Sequence, residues 1–489
     1  MERTVKFLTF LVSALLIATL CSCGGGGGSQ VAEGGIGGTG ISMGRVTGFG
    51  SIFVNGIEYE TNNASFTVNN STGSQSDLAI GMVVQISGSN DQLTGIGEAA
   101  SVEYNSLLEG VLDRNDMATN NTLTIMSQVI SVDLDSVYEN PIDSTLLVDL
   151  PINSVVEVSG FTDGNGDILA TRIEVKSLDW AEDKLEVSGV VNNISGTRFM
   201  IGSLIIEAAD ALPIPTQGTF VKVEGDSFSG SIFEADSIAI EGDGTPLVAE
   251  DGKDVEIEGR ITTSLDSNNL FALNGQSVDA SATLYSGQLS QIVVGRIAKV
   301  QGIMSGSTLL AEKICLQVTT SEKGELADIL GSGDVDTSAG TITLLGQTIQ
   351  INNSTIMDSD LRGESTFTLS QLNAGDYLEA KVYFENDILI ASKLEREQTP
   401  SHHTATAKGI PEWVDTNTIR LFGVPIDTSG VSYTFSDRTV DIVGDYINGV
   451  LVATSINTYD EDESDHYDED EGDHHDEDES DHHDDSDHD

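Results

Sequence analysis

Histidine beside carboxylate recurs through the last 31 residues of this 489-residue chain, and that pairing is its densest potential chemistry. Asp465-His466, Asp473-His474-His475 and Asp481-His482-His483 come eight residues apart, and Asp487-His488 closes the series. Neutral imidazole suits zinc, nickel or copper, and carboxylates alone suit calcium. Tyr459–Asp489 holds 19 Asp or Glu, six His and no Lys or Arg. Self-repulsion with almost no apolar side chains predicts a disordered tail over 459–489, so no closed four-ligand site is pre-organised. The expected cofactor is therefore none, apart from divalent metal held weakly by His466, His474, His475, His482, His483, His488, Asp465, Asp473 and Asp481.

Elsewhere the reactive residues are sparse. Asp163-Gly-Asn165-Gly-Asp167, with Glu174 twelfth in line, has a calcium-loop spacing, but position six is Ile168 where that loop needs glycine. A polar hairpin turn is the better reading. His402 and His403 sit in a linker beside Pro400, and Cys315 has no matched histidine. No phosphate loop, Cys-x-x-Cys or His-Glu-x-x-His occurs. No catalytic residue is expected, and an enzyme is not the leading reading.

The amino terminus reads as a secretion signal over residues 1–23. Arg3 and Lys6 supply the positive end, and Phe7–Leu20 is an apolar run of 14 residues. That is short of the roughly 20 needed to span a bilayer. Leu20-Cys21-Ser22-Cys23 resembles the lipobox of bacterial lipoproteins. The resemblance implies cleavage before Cys23 and a diacylglyceryl group on its sulfur. A glycine-rich tether, 24–43, follows; such a segment spans on the order of 25 Å as a coil. Position 24 is Gly rather than the Asp of an inner-membrane retention signal, so the outer membrane is the expected address. With Cys23 acylated, Cys315 has no partner for a disulfide.

Net charge is −57, and outside the tail 60 acids still face 22 bases. Phosphate backbones need clustered Lys and Arg, so nucleic acid is excluded as a partner.

Between these ends one pattern is written six times. Its clearest clause is Gly-x-Φ-Φ-x-Φ-x-Gly, seen in Gly81 to Gly88, Gly218 to Gly225 and Gly295 to Gly302. The opening position is Gly81, Asn153, Gly218, Gly295, Gly375 or Asp437, residue types that tolerate positive φ. A left-handed turn before each strand is expected. A second clause follows: Ala99-x-x-Val102, Ala170-x-x-Ile173, Ala235-x-x-Ile238, Ala311-x-x-Ile314, Ala391-x-x-Leu394 and Ala453-x-x-Ile456. One small residue at a fixed place predicts close approach of a neighbouring strand. Upstream lie a Gly-x-Φ opening, as in Gly44-Arg-Val and Gly259-Arg-Ile, and a hairpin cue, as in Asn55-Gly56 and Asn274-Gly275.

These signals predict an all-β chain of six tandem modules, each a small β-barrel of OB-like type or a sandwich of about five strands. They span 44–104, 105–177, 184–241, 254–318, 323–395 and 404–458. Trp180 and Trp413 are candidates for packing between modules or inside one. Modules so small bury only roughly 60% of their unfolded surface, so contact between neighbours is expected.

The Gly-x-Val opening, the hairpin, the glycine-bounded strand and the terminal Ala-x-x-Ile resemble a bacterial family of tandem envelope modules, domain of unknown function 5666. The resemblance covers 44–458 and implies a fold but no activity. The expected function is a lipid-anchored, non-catalytic envelope stalk. Its partners are the membrane, through the lipid, and an envelope protein or polysaccharide. Metal sequestration by the tail and an enzyme acting on envelope or extracellular polysaccharide are the alternatives.

Overall fold

The clause folds as its spacing predicts. Gly81, Asn153, Gly218, Gly295 and Gly375 all have φ between 74° and 99°, and each feeds directly into a strand. The sixth copy departs: Asp437 does not take positive φ, a conformation that favours aspartate less than glycine. The closing glycine marks a β-bulge against the fixed alanine, in registers such as Gly88↔Ala99, Gly160↔Ala170, Gly302↔Ala311 and Gly444↔Ala453. A Cβ on Gly302 would lie 2.0 Å from the Leu310 carbonyl oxygen, so close approach requires glycine. The fifth copy carries Val382 there, and nothing in the structure explains how it is accommodated.

The computed structural model describes residues 40–458, except 93, 164–165, 182–183, 243–248, 284–288, 320–321, 362–363, 365 and 401–403. Module 4 shows the common plan. Three strands meander, Asp254–Thr263, Leu270–Leu273 and Gln276–Asp279. The last strand, Thr308–Leu316, runs parallel to the third and antiparallel to the fourth, Ile297–Ser305, which returns to the first. This closed five-strand order is the OB-like alternative rather than the sandwich. Modules 1, 2 and 3 close in the same way, the third with its last strand split into Ile232–Ala235 and Ser237–Gly242. Modules 5 and 6 are left partly open, since their first strand is not laddered to the hairpin.

Two parts of the pattern explain each other. Asn55, at φ 57°, turns its amide back onto the opening strand, where Nδ2 donates to Ser42 Oγ and the Met43 carbonyl. A Cβ on Gly44 would come within 2.4 Å of Asn55 Oδ1. Asn274 repeats the arrangement over Gly259, accepting from the Arg260 amide. In modules 1 and 4 the opening glycine therefore admits the hairpin asparagine, whereas Gly110, Gly189 and Gly409 make room for Met126, Ile201 and Phe422.

The modules are not strung in chain order as a stalk would require. Module 1 joins module 4 through parallel strands, in registers Ile41↔Val255, Ser42↔Glu256 and Met43↔Ile257. Modules 2 and 3 join through Val187↔Leu108, and modules 5 and 6 through Leu326↔Ala407. Modules 2 and 3 share one apolar core, and so do 5 and 6. Modules 1 and 4 keep separate cores, but Val137 of module 2 and Ile356 of module 5 enter that of module 1. Module 1 is thus the hub. Trp180 packs on the shared core of modules 2 and 3, whereas Trp413 is half exposed and meets Phe435 edge to face within module 6.

Candidate functional site at the module junction

The outer faces of the barrels, polar in sequence, are not solvated where modules meet. The fifth clause position shows this: Glu157 and Lys222 are buried, and Lys299 and Glu379 are largely covered. Between modules 2 and 3, Lys222 Nζ lies 2.6 Å from Glu186, and Lys176 Nζ 3.2 Å from Glu157. Tyr104 of module 1 donates to Glu157 at 2.8 Å. Glu109 sits between Glu157 and Glu186 in the strand registers, and burial, followed by repulsion from Glu157, pushes its carboxyl up to about 7.

At the meeting of modules 1, 2, 4 and 5 another set of charged groups lines a cavity of about 290 Å³. Arg45 enters from module 1 and Glu258 from module 4. The Arg45 Nε donates to Glu258 Oε1 at 3.0 Å, its backbone amide donates to Oε2 at 3.1 Å, and Gln317 Nε2 donates to Oε1 at 2.7 Å. The Arg45 guanidinium also lies 5.5 Å from the centre of the Phe161 ring of module 2. Asp135 of module 2 pairs with Lys323 and accepts from Ser392 Oγ of module 5 at 2.7 Å. Burial opposes its charge, but Lys323 and Arg45 outweigh burial and hold its carboxyl at about 2. Beside it, burial and the Asp135 charge push the Asp133 carboxyl up. Module 4 adds Lys299, whose Nζ donates to the Asn55 carbonyl at 2.8 Å, and Arg296. Thr47 Oγ1 donates to the Asn353 carbonyl at 2.9 Å, fastening module 1 to module 5.

Cys315, expected on a strand surface, is buried in the wall of this cavity. It does stand on the outer side of its barrel, opposite Lys299, but other modules cover that side. Asp163 and Asp167 are joined as across a hairpin turn, the Asp167 amide donating to Asp163 Oδ1 and the Asp163 amide to the Asp167 carbonyl, while Gly164 and Asn165 between them lie outside the described residues. Of the repeat glycines, Gly81 faces the Thr171 carbonyl of module 2, Gly88, Gly225 and Gly302 face neighbouring backbone, and Gly218 is open. Gly295 has only the Arg260 guanidinium near it. Cys23, all eight histidines, and Asp465, Asp473 and Asp481 lie outside the described residues.

Among the described residues, two carboxylate triads could hold a cation: Asp358, Asp360 and Glu395, and Glu379, Glu395 and Glu397. Lysines already serve them. Lys393 Nζ lies 3.3 Å from Asp358 and 3.2 Å from Glu395, and Lys381 pairs with Glu379 and Glu325. Burial and then Glu379 push the Glu397 carboxyl up to about 8, and burial and then Glu395 push Asp360 up to about 6.

Sequence reading missed Arg45, Glu258, Asp135, Lys323 and Arg296. Residue type gave little signal: Arg45 and Arg296 stand where some copies hold Val111 and Val190, or Met82 and Ser154, but Arg260 and Arg438 repeat an arginine at the same positions.

Fold and site together define a tandem-repeat protein of OB-like barrels gathered round one charged cavity. The chain matches the family model described as Domain of unknown function (DUF5666) at residues 43–94, 109–174, 252–315 and 333–395, together half of its length, and it belongs to that family. Modules 3 and 6 lie outside the matched regions yet keep the strand order. No curated protein and no solved structure matches the chain.

Proposed function

We propose that the chain is a lipid-anchored cell-envelope protein whose six modules form a non-catalytic binding body, with its ligand at the central junction. The observation that carries this reading is the cavity walled by four modules. Four separate barrels each bring polar groups to one shared cleft, which is where binding sites form between packed units. Two of its carboxylates, Glu258 and Asp135, are engaged by Arg45, Gln317, Lys323 and Ser392. Groups spent on one another shape and hold a ligand; none is placed as a nucleophile with its base. The anchor rests on the lipobox-like Leu20–Cys23 and the glycine tether.

Growing cells fed a labelled fatty-acid precursor test the anchor. Label should follow the wild-type protein into the outer-membrane fraction, and Cys23→Ser should lose both label and membrane. An unlabelled wild-type protein, or one recovered in the cytoplasm, overturns this placement.

A further inference from the structure

One cation of the cavity forms no ion pair among the described residues, although the mostly exposed Glu322 carboxylate feels its charge. Four cationic side chains line it, Arg45, Arg296, Lys299 and Lys323, against three carboxylates, Asp135, Glu258 and Glu385. Arg45 is matched to Glu258, Lys323 to Asp135, and Lys299 stands 3.6 Å from Glu256. Arg296 differs. Its Nη2 donates to the Gln317 carbonyl at 2.7 Å, its Nε is buried with no acceptor, and among the described residues no carboxylate forms an ion pair with it. The one acid left, Glu385, is pushed towards its neutral form by burial. A buried guanidinium N–H without an acceptor is costly to leave unmade, and a carboxylate matches its planar fork.

We infer that this cavity binds a small hydroxylated organic anion, a monosaccharide-sized sugar acid, with its carboxylate on Arg296. The size follows from a volume of about 290 Å³, at the lower end of small-molecule sites. Asn352 and Tyr383 give the wall amide and phenol groups suited to hydroxyls, while Leu316 and Ile356 give it apolar surface for the C–H face of a sugar ring. A positive site inside a chain of net charge −57 also selects its anion by contact alone, since the long-range field repels anions.

This inference rests on the junction being a ligand site. Calorimetry on the full-length chain tests it, with D-glucuronate and its neutral counterpart D-glucose as probes. Glucuronate should bind at least ten-fold more tightly than glucose. Arg296→Gln should weaken glucuronate by about ten-fold or more, the range of a charge-assisted hydrogen bond, with thermal unfolding confirming that the variant is folded. Arg296→Lys, which keeps the charge but loses the fork, should recover part of the affinity. Equal binding of both sugars, or no effect of Arg296→Gln, overturns the anion assignment while leaving a ligand site in place. No binding of either sugar overturns this inference, and failure of a wider set of neutral and cationic small molecules as well overturns the binding-body reading beneath it.

Discussion

Replacing Arg45 with methionine should loosen the join between modules 1 and 4 more than any surface substitution. Arg45 and Glu258 have side chains only 5% and 7% exposed, so Arg45→Met leaves a carboxylate buried with no cation against it. Two hydrogen bonds to Glu258 survive, from the residue 45 backbone amide and Gln317. Those satisfy acceptors but not charge. Removing one member of a buried pair costs about 3–5 kcal/mol, and losing the stack on Phe161 adds about 0.5–1 kcal/mol. Asp135 loses one of its two favourable cations as well. Unfolding of six modules is not a single transition, so the readout should be local. Hydrogen exchange of the amides in Ile41–Met43 and Val255–Ile257 reports opening of the parallel ladder between the modules. Arg45→Met should accelerate exchange there by at least a hundred-fold. The double variant Arg45→Met/Glu258→Met should return most of the protection, because an apolar pair of similar volume is close to neutral. A single variant that costs less than about 1 kcal/mol, or a double variant as unstable as the single one, would refute the argument that charge pairing holds this join.

Three further outcomes follow from the same geometry. Gly302→Ala should destabilise module 4 by about 3 kcal/mol, the upper range for overpacking, because its Cβ meets backbone rather than a movable side chain; a thermal transition unchanged by the substitution removes the bulge from the account. Glu109 titrates at about 7 folded against 4.5 unfolded, so its contribution to stability is full below about pH 4.5 and is lost as pH rises through 7. Chemical denaturation across pH 5–8 should show stability falling for the wild type and a flatter profile for Glu109→Gln; identical slopes contradict the assignment. Cys315, buried in the cavity wall, should react with a bulky thiol reagent far more slowly in the native protein than in urea; equal rates for a reagent too large to enter the cavity would place it at the surface.

The barrel was legible because its instructions repeat. A left-handed turn, an alternating strand and an alanine opposite a bulge are local requirements, and most of the six copies restate each of them. Even the pairing of Gly44 with Asn55 is visible as two motifs, although only the structure shows that one makes room for the other. The assembly was not legible. Glu157, Lys222 and Lys299 occupy the outward positions of alternating strands, and a charged residue there reads as solvated surface. Nothing in those residue types says that another barrel covers them. The ladder that aligns module 1 with module 4 runs through backbone hydrogen bonds at Ile41–Met43, which leave no side-chain signature. Arg45 and Arg296 gave no signal for a related reason: an arginine recurs at each position, as Arg260 and Arg438, so residue type alone does not mark the copy that faces the junction.

The central claim is that the six barrels assemble out of chain order, bringing module 4 against module 1 to wall the cavity. A disulfide tests it directly. Ser42 and Glu256 are register partners across the parallel ladder, and adjacent strands place Cα atoms about 5 Å apart, within disulfide range. In a chain carrying Ser42→Cys and Glu256→Cys, with Cys21, Cys23 and Cys315 replaced so that no native thiol remains, mild oxidation should join the two within one molecule. Peptide mass mapping should find residues 42 and 256 linked in nearly all of the monomer. If both thiols stay free, or link only between molecules, the modules do not pair in this way and the junction cavity does not exist.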